Sequence, residues 1–323
     1  MSIPPETGAT PPWPRLTLGI SACLLGEAVR YDGGHKRDRC ILETLAPYFD
    51  FRPFCPEMAI GLGAPRPPLR LVQEDGSIRA RGIADQSLDV TADLAAFGQR
   101  VAAEAAHDLS GYVFKARSPS CGMARVPVHD EAGRAHPRGR GIYADAVLNG
   151  LPLLPAEEEG RLQDAALREN FLERVHAYAR WRTLLAQGPT AETLVQFHTG
   201  HKLLLMAHGS EPLRGLGRIV ANIGRIPLAE ATAQYGQTFM RTLRFPATRK
   251  RHANVLYHAM GYLKNQLAPP EKAELAETIE AYRQGDVPRI VPISLMRHHL
   301  RRHPHPYLTQ QVYWNGAPPG VDP

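Results

Sequence analysis

Three short apolar runs stand out in the first half of the chain, at residues 16–21, 49–54 and 111–116. The first, 16–21, reads for its lack of alternation as a strand buried on both faces, as in a parallel sheet, and the other two also read as buried strands. Between them lie stretches of helical spacing. Residues 38–48 place Ile41, Leu42 and Leu45 on one face, and residues 90–108 repeat Val90, Leu94, Phe97 and Val101. Asp75-Gly76, flanked by apolar runs at 69–72 and 78–80, is a short hairpin signal. A short helix is expected at 143–148 and a further short strand at 151–154. Strands alternating with helices predict an α/β domain with a mainly parallel, Rossmann-like sheet over residues 15–155.

Beyond that point the texture changes. Pro155 and the acidic run Glu157-Glu158-Glu159 mark a boundary, after which helical periodicity dominates. The pattern predicts helices at 158–186, 190–208, 211–222, 228–243, 250–265, 270–284 and 291–301. Gly188-Pro189-Thr190 separates the first two, and Pro269-Pro270 opens another, as proline does at a first helical turn. His303-Pro304-His305-Pro306 ends the helices before an extended tail. Residues 156–323 are thus expected to form an all-α domain. Residues 1–14 are Pro-rich, with neither a basic region nor an apolar run, and read as a disordered leader, not a signal peptide.

Composition fits this division. A chain of 323 residues, 43% hydrophobic and 22% charged, is long enough for two globular domains. No stretch approaches the roughly 20 consecutive apolar residues that span a bilayer, so no membrane association is expected and the cytoplasm is the expected location. Charge is uneven. Residues 1–155 carry 17 basic and 17 acidic side chains, whereas residues 156–323 carry 21 and 15, with 10 of the 14 histidines. A basic helical domain beside a neutral one suggests an anionic partner. No obligate protein partner is implied.

The candidate chemistry begins with cysteine. All four thiols lie between Cys23 and Cys121, and a cytosolic protein that gathers its thiols in one domain uses them for metal binding or catalysis. Three follow directly on the strand runs, in Ser21-Ala22-Cys23-Leu24-Leu25-Gly26, Phe54-Cys55-Pro56-Glu57 and Ser118-Pro119-Ser120-Cys121-Gly122. The carboxyl ends of parallel strands share one edge, where ligands bind, so these thiols should converge there. A three-thiol set suits tetrahedral zinc with a fourth ligand, and equally an iron–sulfur cluster. Buried cysteines are often small core residues, but polar turns rich in Gly and Pro are the wrong surroundings for filler. Cys40, beside Ile41 on a predicted helix, reads as ordinary packing. Glu57, Ser118 and Ser120 stand close enough to the thiols to act as acid, base or orienting groups. A cap for Glu57 and turn-satisfying roles for the serines are equally compatible with the spacing.

These motifs carry a resemblance. Cys-Leu-Leu-Gly with Val29-Arg30-Tyr31-Asp32-Gly33, then Cys-Pro-Glu with Gly61-Leu62-Gly63-Ala64-Pro65-Arg66, then Ser-Pro-Ser-Cys-Gly, resemble in order the thiouracil desulfidase family. Phe197-His198-Thr199-Gly200-His201-Lys202-Leu203-Leu204-Leu205-Met206-Ala207-His208 resembles the YbgA-like helical domain, a match continued by His252-Ala253-Asn254 and Tyr307-Leu308-Thr309-Gln310-Gln311-Val312-Tyr313. The fusion is similar to the tRNA 4-thiouridine desulfidases. The resemblance implies a 4Fe–4S cluster held by Cys23, Cys55 and Cys121 with one iron open to substrate. It further implies Glu57 as the proton-handling residue, assisted by Ser120 or Ser118, with Ser120 preferred. The implied reaction is hydrolytic removal of sulfur from 4-thiouridine in tRNA. Free thiouracil or a thiouridine nucleotide is the alternative substrate, and a metal-stabilised RNA-binding protein without activity is the alternative class.

In that light the basic runs of the helical half become candidates for RNA phosphates. They are Arg249, Lys250, Arg251, Arg301 and Arg302, joined by Lys202, and their contacts would be salt-sensitive and indifferent to sequence. His198 and His201 share a helix face, and a packed, hydrogen-bonded pair is the favoured reading. Tyr31 and Tyr143 are candidate stacking residues for an extruded base.

Overall fold

The computed structural model describes residues 15–130 and 132–315; the expected leader at 1–14 lies outside them. Eight strands, numbered in chain order, form two sheets among the described residues. The first contains β1 (Leu16–Ser21), β2 (Phe49–Phe54), β5 (Leu109–Phe114) and β8 (Ala156–Glu158), in the order β2-β1-β5-β8, and every neighbouring pair is parallel. β5 is buried along its whole length, as its unbroken apolar run requires. The strand order turns back between β1 and β5, and crevices for ligands open at such switch points beyond the strands' carboxyl ends.

The second sheet is small and mixed: β3 (Leu69–Glu74), β4 (Ser77–Gly82), β6 (Val126–His129) and β7 (Ala135–Gly139), in the order β4-β3-β6-β7. The expected hairpin is its β3–β4 pair. β6 and β7 were not foreseen, because Val126-Pro127-Val128 and Ala135-His136-Pro137 are short and each contains a proline.

Helix α1 (Pro56–Ala59) is a single turn, and α2 (Thr91–Ala105) packs against α3 (Ile142–Gly150). The helix expected at 38–48 is reduced to one wide turn at Ile41–Leu45. The expected strand at 151–154 is a turn, and the acidic run read as a boundary enters the sheet as β8, with Glu157 and Glu158 buried. Ion pairs explain this: Glu157 binds Arg161 and Arg174, while Glu158 accepts the Met123 and Ala124 amides.

The helical half consists of α4 (Ala165–Ala186), α5 (Ala191–Gly200), α6 (Lys202–His208), α7 (Ser210–Ala221), α8 (Leu228–Leu243), α9 (Arg249–Tyr262), α10 (Pro269–Gln284), α11 (Ile290–Arg302) and the short α12 (Pro306–Thr309). Apolar periodicity located these closely, with three departures. The helix expected at 158–186 begins only at Ala165, because Glu158 closes β8 and Arg161–Gln163 is a separate turn. The stretch 190–208 breaks at His201, whose ring binds the Phe197 carbonyl at 2.7 Å. The tail is not extended: Leu308, Tyr313 and Trp314 are buried, and the Trp314 indole donates to the Leu308 carbonyl at 2.7 Å.

Helix α4 joins the halves. A Cβ at Gly111 of β5 would lie 2.7 Å from Val175 Cγ2, so only glycine lets α4 approach the sheet this closely. Phe171, Leu172 and Val175 pack on β1 and the β2 side, whereas Tyr178 and Trp181 join a core that runs from Tyr112 and Phe114 to Tyr235 and Phe239. The two halves therefore share apolar packing.

Candidate active site

Three strand ends deliver three thiols to one cavity of about 410 Å³. β1 leads into a tight turn, Ala22–Leu25, that carries Cys23; its carbonyl is held by the Gly26 and Lys36 amides at 3.3 and 2.9 Å. Gly26 sits at φ 100°, where glycine is favoured. β2 ends at Cys55, the residue before α1, and Pro56 at the first helical position fits the missing amide. β5 runs out through Lys115 into the Ser-Pro-Ser-Cys-Gly turn. There the Ser118 hydroxyl accepts the Ser120 and Cys121 amides at 3.2 and 3.1 Å, and Gly122 N donates to the Ser118 carbonyl at 2.8 Å. A Cβ on Gly141 would stand 2.5 Å from the Ser120 carbonyl carbon, so the start of α3 fixes this turn from behind.

All four cysteines are free thiols. Burial pushes the Cys23 thiol up to about 11, against the pull of Lys115 and Arg30. Burial also raises Cys55, and it raises Cys121 well above the usual range, with the Glu57 carboxylate adding to the rise. The thiols also raise one another electrostatically, a mark of their proximity. Among the described residues, no group of three His, Cys, Asp or Glu side chains is arranged to hold a metal ion. The thiols border a common cavity without closing on one point.

Beside them stands one carboxylate. Glu57 Oε1 accepts the Ser120 hydroxyl at 2.8 Å, and Oε2 accepts Arg66 Nε at 2.6 Å. Arg66 is itself fixed, donating from its remaining nitrogens to the Gly63 carbonyl and, at 2.9 Å, to the Val29 carbonyl. The serines divide. Ser118 lines the cavity, whereas Ser120 is fully buried and reaches only Glu57 among side chains. Lys115 lines the wall and pairs with Glu159, which also accepts the Ala116 amide at 2.7 Å. Arg30, Lys36 and Arg117 complete a cationic rim, with Tyr31 beside Arg30 at 5.3 Å.

Arg66 and Lys115 had no role in the sequence reading. Arg66 was visible only as the end of Gly61-Leu62-Gly63-Ala64-Pro65-Arg66, and the positive φ of Gly61 and Gly63 is what bends that loop back over Glu57. Cys40 is away from the cavity, its thiol 3.6 Å from the Leu162 carbonyl. Tyr143 is unavailable for stacking: it is fully buried and hydrogen-bonded to the Tyr112 hydroxyl at 2.9 Å.

The helical candidates fall at separate places. Arg249, Lys250 and Arg251 form the first turn of α9, where Arg249 lies over Tyr282 and Arg251 donates to the His208 carbonyl at 3.1 Å. Arg301 and Arg302 lie at the far end of α11, and Arg302 pairs with Glu271 at 2.6 Å. α11 begins beside His252 through Arg289 and rises about 1.5 Å per residue, so its end lies ~20 Å from that beginning beside α9. Lys202 opens α6, half-buried. His198 and His201 are a packed pair: His198 binds the Tyr235 hydroxyl at 3.1 Å, and burial holds the two rings down to about 4 and about 3.

Residues 18–159 match the family described as 2-thiouracil desulfurase, and residues 202–318 match a family described as protein of unknown function, DUF1722. The uncharacterized protein YbgA of Escherichia coli strain K12 is 31% identical over 147 residues, which cover 45% of this chain and 87% of that protein. A solved structure described as a [4Fe-4S]-dependent thiouracil desulfidase, TudS, is similar at 30% identity, with a TM-score of 0.38 over 48% of this chain and 97% of that one. The chain therefore belongs through its helical half to the YbgA-like DUF1722 family, fused to an α/β domain that is similar to 2-thiouracil desulfurases.

Proposed function

We propose that this protein hydrolyses the carbon–sulfur bond of a thiolated pyrimidine, 4-thiouridine in tRNA giving uridine and sulfide, at a 4Fe–4S cluster held by Cys23, Cys55 and Cys121. One observation carries the reading: three free thiols from three strand ends share a cavity with a single well-held carboxylate. The donor set fits the group. Thiolates are the usual ligands of iron–sulfur clusters, and buried thiols whose pKa values are raised need a bound cation to ionise. With three protein ligands, such a cluster supplies one iron as a soft Lewis acid toward a thiocarbonyl sulfur.

The chain's own residues handle water and protons. Glu57 is the base: each carboxylate oxygen accepts one hydrogen bond from the protein and has a second lone pair free for water. It takes one proton as water oxygen bonds to the ring carbon and gives it to the sulfur; as the bond from carbon to sulfur breaks, the proton left on the added hydroxyl follows by way of the same carboxylate to the departing sulfur. Water plus thiocarbonyl thus yields carbonyl plus hydrogen sulfide, with no net electron transfer. Arg66 and Ser120 are positioning residues that fix both oxygens of Glu57. Ser118 uses its oxygen to accept two amides, which leaves its own proton to donate into the cavity. The cationic rim suits a nucleotide phosphate, and the excess charge of the helical half suits tRNA. No helix among the described residues is long and apolar enough to cross a membrane.

The test is anaerobic purification with iron and acid-labile sulfide quantified, followed by nucleoside analysis of 4-thiouridine-containing tRNA after incubation. Iron and sulfide near four each per chain, with conversion to uridine, is expected for the cluster of the proposal. Conversion of a small thiopyrimidine alone would sink the tRNA assignment. Stoichiometric zinc without iron would sink the cluster.

A further inference from the structure

Phe245, between α8 and α9, is 71% exposed, the most exposed of the large hydrophobic side chains among the described residues. Single surface hydrophobics are ordinary, and exposure alone says nothing. The backbone beneath this one is unusual. The Phe245 carbonyl accepts Nδ1 of His208 at 2.8 Å, and the other nitrogen of that buried imidazole is held by Glu173 at 2.6 Å. Two residues back, the Leu243 carbonyl accepts the Asn170 side-chain amide at 2.9 Å. Downstream, the Thr248 hydroxyl caps α9, and Arg251 donates to the His208 carbonyl. Asn170 and Glu173 both belong to α4, the helix that lies on the sheet. Several buried or part-buried polar contacts are thus spent on holding a loop whose aromatic ring touches solvent.

Pro246 and Ala247, just after the ring, line a cavity of mixed charge with Asp164, Glu169, Glu173, Arg249 and Arg289, whereas the exposed charged side chains nearest the ring in the chain are basic. Arg244 precedes the ring and Lys250 follows it, both exposed, and neither has a carboxylate partner among the described residues. An exposed aromatic face flanked by exposed cations is the arrangement that binds unpaired bases of single-stranded or looped nucleic acid.

We infer that Phe245 is a base-stacking platform for an unpaired nucleotide of the substrate RNA, held rigid by His208, Asn170 and α4 and flanked by Arg244 and Lys250. The inference rests on the proposed tRNA substrate and adds the surface that receives it. His208, the end of the long helical-domain motif, acts as a positioning residue for this loop.

The full-length, cluster-loaded protein and 4-thiouridine-containing tRNA, titrated by fluorescence anisotropy, test it. Phe245→Ala and Phe245→Leu should each weaken binding about 10-fold, and Phe245→Trp should stay within about 3-fold of the parent, as stacking on a π-face requires. Unchanged thermal unfolding midpoints and iron contents check that the variants fold. Parent-like binding by Phe245→Ala, or full rescue by Leu, overturns the platform while leaving the tRNA substrate intact. If the parent itself binds no tRNA, the tRNA reading fails and the platform fails with it.

Discussion

Arg66 Nε lies 2.6 Å from Glu57 Oε2, and both side chains are largely enclosed. The same guanidinium reaches the Gly63 and Val29 carbonyls, so one planar fork ties the Cys55-Pro56-Glu57 turn to two loops. The Val29 carbonyl also lies 3.7 Å from the Cys55 thiol. Position of the carboxylate and position of a thiol are therefore set by shared contacts.

Replacing Arg66 separates charge from shape. Arg66→Lys keeps the positive charge, but its three donors sit on one nitrogen and cannot span the three separated acceptors that the guanidinium reaches. It should lower kcat about 10- to 100-fold, the usual cost of loosening groups around a metal site, with KM little changed. Arg66→Met should also destabilise the fold by about 1–3 kcal/mol, because it leaves an enclosed carboxylate and two carbonyls short of donors. Steady-state kinetics and urea unfolding measure the two effects. Parent-like turnover in the lysine variant would show that charge alone suffices.

The cysteines make a second prediction. Cys23→Ala, Cys55→Ala and Cys121→Ala should each lose most iron and sulfide on anaerobic purification. Cys40→Ala should keep both, since its thiol faces the Leu162 carbonyl and Arg168 instead of the cavity. Equal loss at Cys40 would redraw the ligand set.

The reach of the sequence differed between the two halves, for physical reasons. Apolar periodicity marks helices that bury one stripe, so α7 to α11 were located within a few residues of their ends. Apolar-rich runs marked β1, β2 and β5, and with them the turns that carry the thiols, although Asp50, Arg52 and Pro53 leave β2 partly exposed. β8 was hidden because its glutamates are buried through ion pairs and backbone amides, a long-range effect that no local pattern shows. Arg66 was hidden for a like reason: its partners are 9 and 37 residues away in sequence. The division of labour between Ser118 and Ser120 follows from hydroxyl direction, which spacing does not carry.

Tight packing in the shared core gives a stability prediction. A Cβ on Gly236 would fall 2.6 Å from the Trp181 ring, which is itself buried and stacked on Tyr235. Gly236→Ala should destabilise the protein by about 1–3 kcal/mol through overpacking, despite alanine's better helix propensity. Chemical denaturation measures it. A neutral or stabilising result would mean that Trp181 has room to shift.

Acid should weaken the helical half earlier than carboxylate titration alone predicts. Burial holds His176 and His198 at about 4 and His201 at about 3, against 6.5 for an ordinary histidine. A depressed folded-state pKa means that the unfolded chain binds more protons between those limits. The stability these rings contribute is therefore complete above about pH 6.5 and falls as pH drops toward 4 and 3. Each ring adds up to about 1.4 kcal/mol per pH unit to the slope. Urea midpoints should hold level from pH 7.5 to about 6.5 and fall from there to pH 5, and His201→Asn should flatten that fall. An unaltered slope in that variant would show that His201 does not titrate on unfolding.

The two ends of the helical half offer a final test of where RNA lies. Arg249 and Arg251 are tied to the Tyr282 and His208 carbonyls, so reversing them disturbs the fold as well as the charge. Lys250 is exposed, with no carboxylate partner among the described residues, and it follows the Phe245 loop. Arg301 is also exposed but lies at the opposite end of α11, beside the Arg302–Glu271 pair. Lys250→Glu should weaken tRNA binding several-fold and reduce the slope of log affinity against log salt by about 1, as loss of one phosphate contact does. Arg301→Glu should alter the slope less. A larger effect at Arg301 would move the RNA footprint to the far end of the helices, where Phe245 could not reach it.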